Sequence, residues 1–358
     1  MEQLVRLGDV CTVVSGSTPK TSVDEYWNGD VKWITPAELD ADSYYIHDSV
    51  KHITELGRTK TGLSYMPVGT VILSSRAPIG KTAILGCEMC CNQGFKNLIC
   101  TDRIFNEYLY HFLRAKTNYL NSLGRGATFK ELSKGIVENV LIPLPAIEEQ
   151  HHIADLFASV EELIQTKKQQ LDLFDELVKS RFVELFDGKG YPTLKWNEVF
   201  NTTTGKLDSN AMVEDGEYPF FTCAKEVFRI DKYAFDQEAL LLAGNNAAGK
   251  YDVKYYKGKF NAYQRTYVLG LKKDWSYQLF RYQLEDKLVY LQQQSLGGLT
   301  KYLTLKILGE LEFIVPPMDK QNEFTAFVEQ TDKSKLAVQQ SIAELEELKK
   351  SLMQKYFG

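Results

Sequence analysis

Glycine and lysine in a short polar loop can cradle phosphate, and two segments have that character, SSRAPIGKT at residues 74–82 and GNNAAGKY at 244–251. A complete phosphate-binding loop needs two glycines, the lysine, and a Ser or Thr to ligate magnesium. The first segment has Thr82 but Ser75 in place of the leading glycine, and the second has both glycines but Tyr251 in place of the hydroxyl. Each therefore reads as a tight turn with a basic side chain. VPPM at 315–318 lacks the polar first and aromatic last residues of the Asn-Pro-Pro-aromatic motif of amino-methyltransferases, and reads as a proline pair leading a helix. CEMCC at 87–91 has metal-like Cys-x-x-Cys spacing, but zinc needs a second ligand pair and only Cys100 lies near. His47, His52, His111, His151 and His152 form no nucleophile or metal pattern. No catalytic residue, metal or cofactor is expected.

What remains is recognition chemistry. Runs such as VKWITPAEL, GTVILSSRAPIG and NQGFKNLIC, and later EYPFFTCAKEVF, EALLLAGNN and AYQRTYVLG, read as short strands whose aromatics belong to cores. Their loops offer Arg76, Lys81, Gln93 and Lys96 in the first half, and Asn245, Asn246, Lys250, Gln264 and Arg265 in the second. Arg, Asn and Gln make bidentate contacts to base edges, whereas Lys suits phosphates.

These loops must be held by elements that occur twice. LIPLPAIEEQHHIADLF at 141–157 is echoed by EFIVPPMDKQNEFTAFV at 312–328, an offset of 171 residues. Without a gap, Gly126 meets Gly297, Lys130 meets Lys301, Leu132 meets Leu303, Pro145 meets Pro316, Gln150 meets Gln321, Leu177 meets Leu348 and Phe186 meets Phe357. Upstream the echo is looser: VRLGDV at 5–10 resembles LKWNEV at 194–199, each followed by Gly16 or Gly205, and IGKTAI at 79–84 resembles AGKYDV at 248–253. The chain is thus two units, each a variable domain followed by a similar segment.

Those segments read as helices. Ile153, Phe157, Val160, Ile164, Leu171, Phe174, Val178 and Leu185 recur at spacings of three and four, and Phe324, Val328, Val338, Ile342, Leu345, Leu352 and Tyr356 follow the same register. Forty residues at about 1.5 Å each make a rod of roughly 60 Å. Burial of a large apolar side chain is worth about 1.5–3 kcal/mol, so two such stripes gain by pairing. Antiparallel pairing is expected, with Phe186 near Met318, Phe357 near Ile147, and Lys167, Arg181, Lys335 and Lys349 interrupting the seam.

The chain has 358 residues, 44% hydrophobic and 25% charged, which suits a folded protein of two domains or more. No apolar run reaches membrane-span length, and MEQLVRLGDV lacks the apolar core of a signal peptide. Cytoplasmic localisation is expected, with the six cysteines as free thiols. The net charge of −5 is uneven: residues 146–187 hold 4 basic and 10 acidic side chains and 317–357 hold 6 and 7, leaving the variable domains at +2. The acidity lies on the helical segments and leaves the domains able to meet a polyanion.

In order and duplication, VRLGDV, SRAPIGKTAI, NQGF, GRGATFKEL and IPLPAIEEQ before a long helix resemble the DNA specificity subunit of type I restriction-modification enzymes. The resemblance covers essentially the whole chain. It departs in the second unit, where Lys320 stands for Glu149 and NAYQRT replaces NQGF. It implies an α+β fold with two mixed α/β target-recognition domains, residues 1–145 and 188–316, and two spacer helices, 146–187 and 317–358, forming an antiparallel coiled coil with a pseudo-two-fold repeat. Each domain would read half of a bipartite, asymmetric site in double-stranded DNA. The helices would set the spacing and dock two methyltransferase subunits, which in turn carry the restriction and translocase subunits. The chain itself would not be an enzyme; the alternatives are a self-contained DNA-modifying enzyme and an assembly scaffold. On that reading Arg76, Lys81, Gln93, Lys96, Arg125, Lys130, Asn245, Asn246, Lys250, Arg265 and Lys301 are expected at the DNA.

Overall fold

The computed structural model describes residues 3–40, 42–126, 130–246, 249–298 and 300–358. Ala127, Thr128 and Phe129 of GRGATFKEL, and Ala247 and Ala248 of GNNAAGKY, lie outside the described residues. The chain divides into two compact units, Met1–Lys168 with Gln339–Gly358, and Gln169–Val338. Each unit thus contains a variable domain and half of each long helix.

In unit 1 a five-stranded sheet runs in the order Cys11–Ser15, Phe95–Cys100, Val71–Ser74, Thr82–Leu85, Tyr45–Ile46. Val71–Ser74 is buried at every position, three apolar residues and a serine in the middle of the sheet. A second sheet pairs Trp27–Ile34 with His52–Ile53 and, in parallel, with Cys90–Cys91. Helix α1, Asn106–Ala115, buries Tyr108 through Leu113 against the first sheet. Gly16 follows the first of these strands. A Cβ there would collide with the carbonyl oxygens of Asn92 and Cys91, so close approach of two backbones requires the glycine.

The first long helix, α2, spans Ile147–Phe186, and its part up to Lys168, about six turns at 3.6 residues each, belongs to this unit. Proline at 143 and 145 cannot sit inside a helix and Gly188, at φ +63, ends it; between them no Gly or Pro interrupts 40 residues. Gln150, fully buried, fixes its start: Oε1 accepts from the Phe105 amide at 2.9 Å, while Nε2 donates to the carbonyls of Arg103 at 3.1 Å and Pro145 at 2.9 Å.

Unit 2 has one six-stranded sheet, ordered Phe200–Thr204, Thr266–Leu271, Phe235–Ala243, Val253–Ala262, Tyr218–Phe221, Phe228–Ile230. Its pairings repeat those of unit 1, including a parallel pair, Phe220 with Asn261 and Phe221 with Ala262. Gly205 repeats Gly16, since a Cβ there would strike the carbonyl of Ala262. Helix α3, Tyr277–Asp286, packs on the sheet, and the second long helix, α4, spans Met318–Phe357. Gln321 repeats Gln150, accepting from the Ser276 amide at 2.9 Å and donating to the Pro316 carbonyl at 2.8 Å.

The two long helices run antiparallel where they meet inside each unit. In unit 1 Phe157 stacks on Phe357 at 5.8 Å and Lys349 pairs with Glu161 at 2.5 Å. In unit 2 Phe186 meets Phe324 at 5.6 Å, Arg181 pairs with Glu323 at 2.6 Å, and Lys335 pairs with Asp175 at 2.5 Å. Three of the cations that interrupt the apolar seam therefore meet a carboxylate on the opposite helix. Ile153, Phe157, Val160, Ile164, Val178, Phe324, Val328 and Val338 are buried, while Leu171, Phe174, Ile342, Leu345 and Leu352 are half-buried.

The expected register is corrected by more than a turn. Phe357 lies against Phe157, Tyr108 and Phe112, because α1 and α2 together form an apolar socket for it. Phe186 correspondingly lies against Phe324. Among the described residues, no helix is long and apolar enough to cross a membrane.

Candidate nucleic-acid interface

In unit 1 three loops converge at the end of Val71–Ser74. The amide of Leu132 donates to the Ser75 carbonyl at 2.8 Å, and the Ser75 amide donates to the Gly94 carbonyl at 2.7 Å. Arg125 and Glu131 exchange backbone hydrogen bonds at 3.1 and 2.9 Å, and Arg76 also bridges to Glu131. The backbone thus gathers Arg76, Gln93, Lys96, Arg125 and Glu131, with Lys130 beside them. Gln93, Arg125 and Lys130 are exposed.

Two of the lysines expected at phosphates have their ammonium groups engaged within the unit. The Lys96 side chain is only 6% exposed and its ammonium reaches Ser75 Oγ at 3.3 Å and Glu131 Oε1 at 3.6 Å. Burial pushes its pKa below the ordinary lysine value, and Glu131 pulls it partly back. Lys81 donates to the carbonyls of Pro36 at 3.2 Å and Leu39 at 2.5 Å, so it fastens the short helical turn Pro36–Glu38 instead of projecting into solvent. Lys96 thus holds Ser75 and Glu131, and Lys81 holds Pro36 and Leu39.

Unit 2 builds the same frame with other side chains. The Leu303 amide donates to the Gly244 carbonyl at 2.8 Å, the Gly244 amide donates to the Arg265 carbonyl at 2.8 Å, and Leu296 pairs with Tyr302 as Arg125 does with Glu131. Asn245 and Asn246 form a two-residue strand against Tyr302 and Lys301. Lys250 and Arg265 are exposed, and Asn245, Asn246 and Lys301 are half-buried. Gln264 donates to Asp208 at 2.5 Å. Glu131 and Tyr302, which share one place in this frame, escaped the sequence reading; the signal was their position between the matched pairs Lys130/Lys301 and Leu132/Leu303.

The description "Type I restriction modification DNA specificity domain" fits residues 2–173 and, a second time, residues 189–347. The chain belongs to this family. It is 39% identical over 184 residues to the type I restriction enzyme MjaIX specificity subunit of Methanocaldococcus jannaschii, a match covering 51% of this chain and 43% of the relative. It is 36% identical over 161 residues to the EcoDI specificity subunit of Escherichia coli, covering 44% of this chain and 34% of that protein. The chain therefore spans less than half the length of these two relatives.

Among solved structures, the S subunit of a type I restriction-modification system from M. genitalium superposes with a TM-score of 0.63 at 14% identity, over 100% of this chain and 96% of that one. A chain from a structure concerning complex assembly and conformational transition of the type I R-M system gives 0.62 at 19% identity, over 99% and 97%. Both share the α+β fold of this specificity-domain family.

Proposed function

We propose that this chain is the non-catalytic specificity subunit of a type I restriction-modification complex. Each unit reads one half of a bipartite, asymmetric site in double-stranded DNA. The long helices set the unread gap and dock methyltransferase subunits, through which restriction and translocase subunits join. The observation that carries this is the duplication itself: the family match occurs twice, on one repeated backbone frame whose projecting side chains differ. Two unlike faces on like frames suit an asymmetric sequence. Arg76, Gln93, Arg125 and Lys130 supply the face in unit 1, and Asn245, Asn246, Lys250, Arg265 and Lys301 supply it in unit 2, with Arg, Asn and Gln for base edges and Lys for phosphates.

Methylome sequencing of the host with and without this gene tests the proposal. One modified bipartite motif should vanish with the gene, and an unchanged methylome refutes the assignment. In a host carrying α2 and α4 each lengthened by one heptad, the half-sites should persist while the gap changes by up to about three base pairs, from roughly 10 Å of helix.

A further inference from the structure

Glu131 is the one acidic side chain among the residues gathered at the unit 1 loops, and it is fixed from three directions. Arg76 Nε donates to Oε2 at 3.1 Å, the Lys96 ammonium lies 3.6 Å from Oε1, and its backbone is pinned to Arg125 on both sides. The side chain is nevertheless 38% exposed. A carboxylate beside cations that meet phosphates weakens binding unless it does something a cation cannot.

Glu131 offsets the charge of the buried Lys96, but the loop itself requires neither, because unit 2 makes the same loop without either residue. Tyr302 occupies the place of Glu131 and Tyr267 that of Lys96, yet the Leu296–Tyr302 bridge and the Leu303-to-Gly244 hydrogen bond form unchanged. The loop fold does not demand the acid–lysine pair. Unit 1 has instead buried an ammonium, at a desolvation cost, behind a carboxylate that faces outward.

On the reading of this chain as a DNA specificity subunit, we propose that Glu131 is a specificity-determining residue of unit 1. Its carboxylate accepts a hydrogen bond from an exocyclic amino group, N4 of cytosine or N6 of adenine, in the major groove of the half-site read by that unit. At that position guanine and thymine present only acceptors, which a carboxylate repels. Lys96 is its positioning residue, and Arg76 holds the second oxygen.

The test is selection of bound sites from a randomised duplex library by the complex of the full chain with its methyltransferase partner. Wild type, Glu131→Gln, and Lys96→Met with Glu131→Gln are compared, each with a thermal melt. In Glu131→Gln, discrimination at one base position of one half-site should change by about tenfold, within the range of a single good base contact. The other half-site should stay as in wild type. The double variant removes the buried charge together with its partner, so it should regain any lost thermal stability without regaining the base preference. Wild-type preferences in Glu131→Gln, or an even loss at all positions that the double variant reverses, would overturn the assignment and leave the specificity-subunit reading intact. A wild-type complex that selects no bipartite sequence would overturn that reading and the assignment with it.

Discussion

The two units are alike where a backbone group needs a partner and unlike where a side chain can reach outward. Gln150 and Gln321 each satisfy an amide at the start of α1 or α3 and a proline carbonyl before a long helix. Gly16 and Gly205 each leave room for a carbonyl from the neighbouring strand. At the loop ends the same backbone bridge carries Glu131 in one unit and Tyr302 in the other. A buried hydrogen-bonding group has few chemical solutions, so those positions hold still. A loop whose backbone is already satisfied tolerates almost any exposed side chain, so its surface is free to diverge.

The two units also differ where the long helices dock. His111 on α1 lies flat on Phe157 at 4.8 Å, and Tyr282, at its place on α3, packs on Phe182 at 4.8 Å and Phe324 at 5.4 Å. The largest effect should come from deleting these aromatic anchors. Phe157→Ala and Phe324→Ala should each cost about 3–5 kcal/mol in urea unfolding, as large-to-small changes in a packed core do. A loss confined to one of them would break the equivalence of the two docking cores.

The histidine should make unit 1 sensitive to acid. Burial, reinforced by the cations of Lys349 and Arg114, holds the His111 pKa down at about 3, below its ordinary value of 6.5. The unfolded chain therefore binds a proton that the native unit refuses between those values. Its stability contribution is complete above about pH 6.5 and falls by up to about 1.4 kcal/mol per unit as pH drops toward 3. Melting from pH 7 to pH 4.5 should show this slope in wild type and a flatter one in His111→Leu. Parallel curves would show that the ring has a route to water.

Removal of the glutamine clamps should have the smallest effect and the most even one. Gln150→Leu strands an amide and two carbonyls, and Gln321→Leu an amide and one carbonyl, at a cost of about 1–3 kcal/mol. Hydrogen exchange should speed up at the Phe105 amide in the first variant and at the Ser276 amide in the second. Unchanged protection at either site would mean that the proline junction is held by packing alone.

Much of this architecture was legible in the chain itself. A 40-residue span without Gly or Pro, bearing apolar residues at spacings of three and four, can only be a long helix, and its repetition at a constant offset required a second copy with the same surroundings. The short apolar runs at 71–73 and 240–243, bounded by polar loops, were legible as buried strands.

Register and side-chain direction were not legible. The seam pattern fits several antiparallel alignments that differ by a turn, and only the socket formed by Tyr108, Phe112 and Phe157 selects the one that seats Phe357. Lys81 and Lys96 read as surface cations because a lysine's sequence neighbours do not reveal which carbonyls or carboxylates lie within reach of its long side chain. Folding brings Pro36, Leu39 and Glu131 to them from 45, 42 and 35 positions away, and so engages two ammonium groups that were expected at the DNA. Periodicity along the chain determined which elements exist. The long-range contacts decided which charged groups remain free to meet a ligand, because local pattern carries no information about neighbours that only the fold supplies.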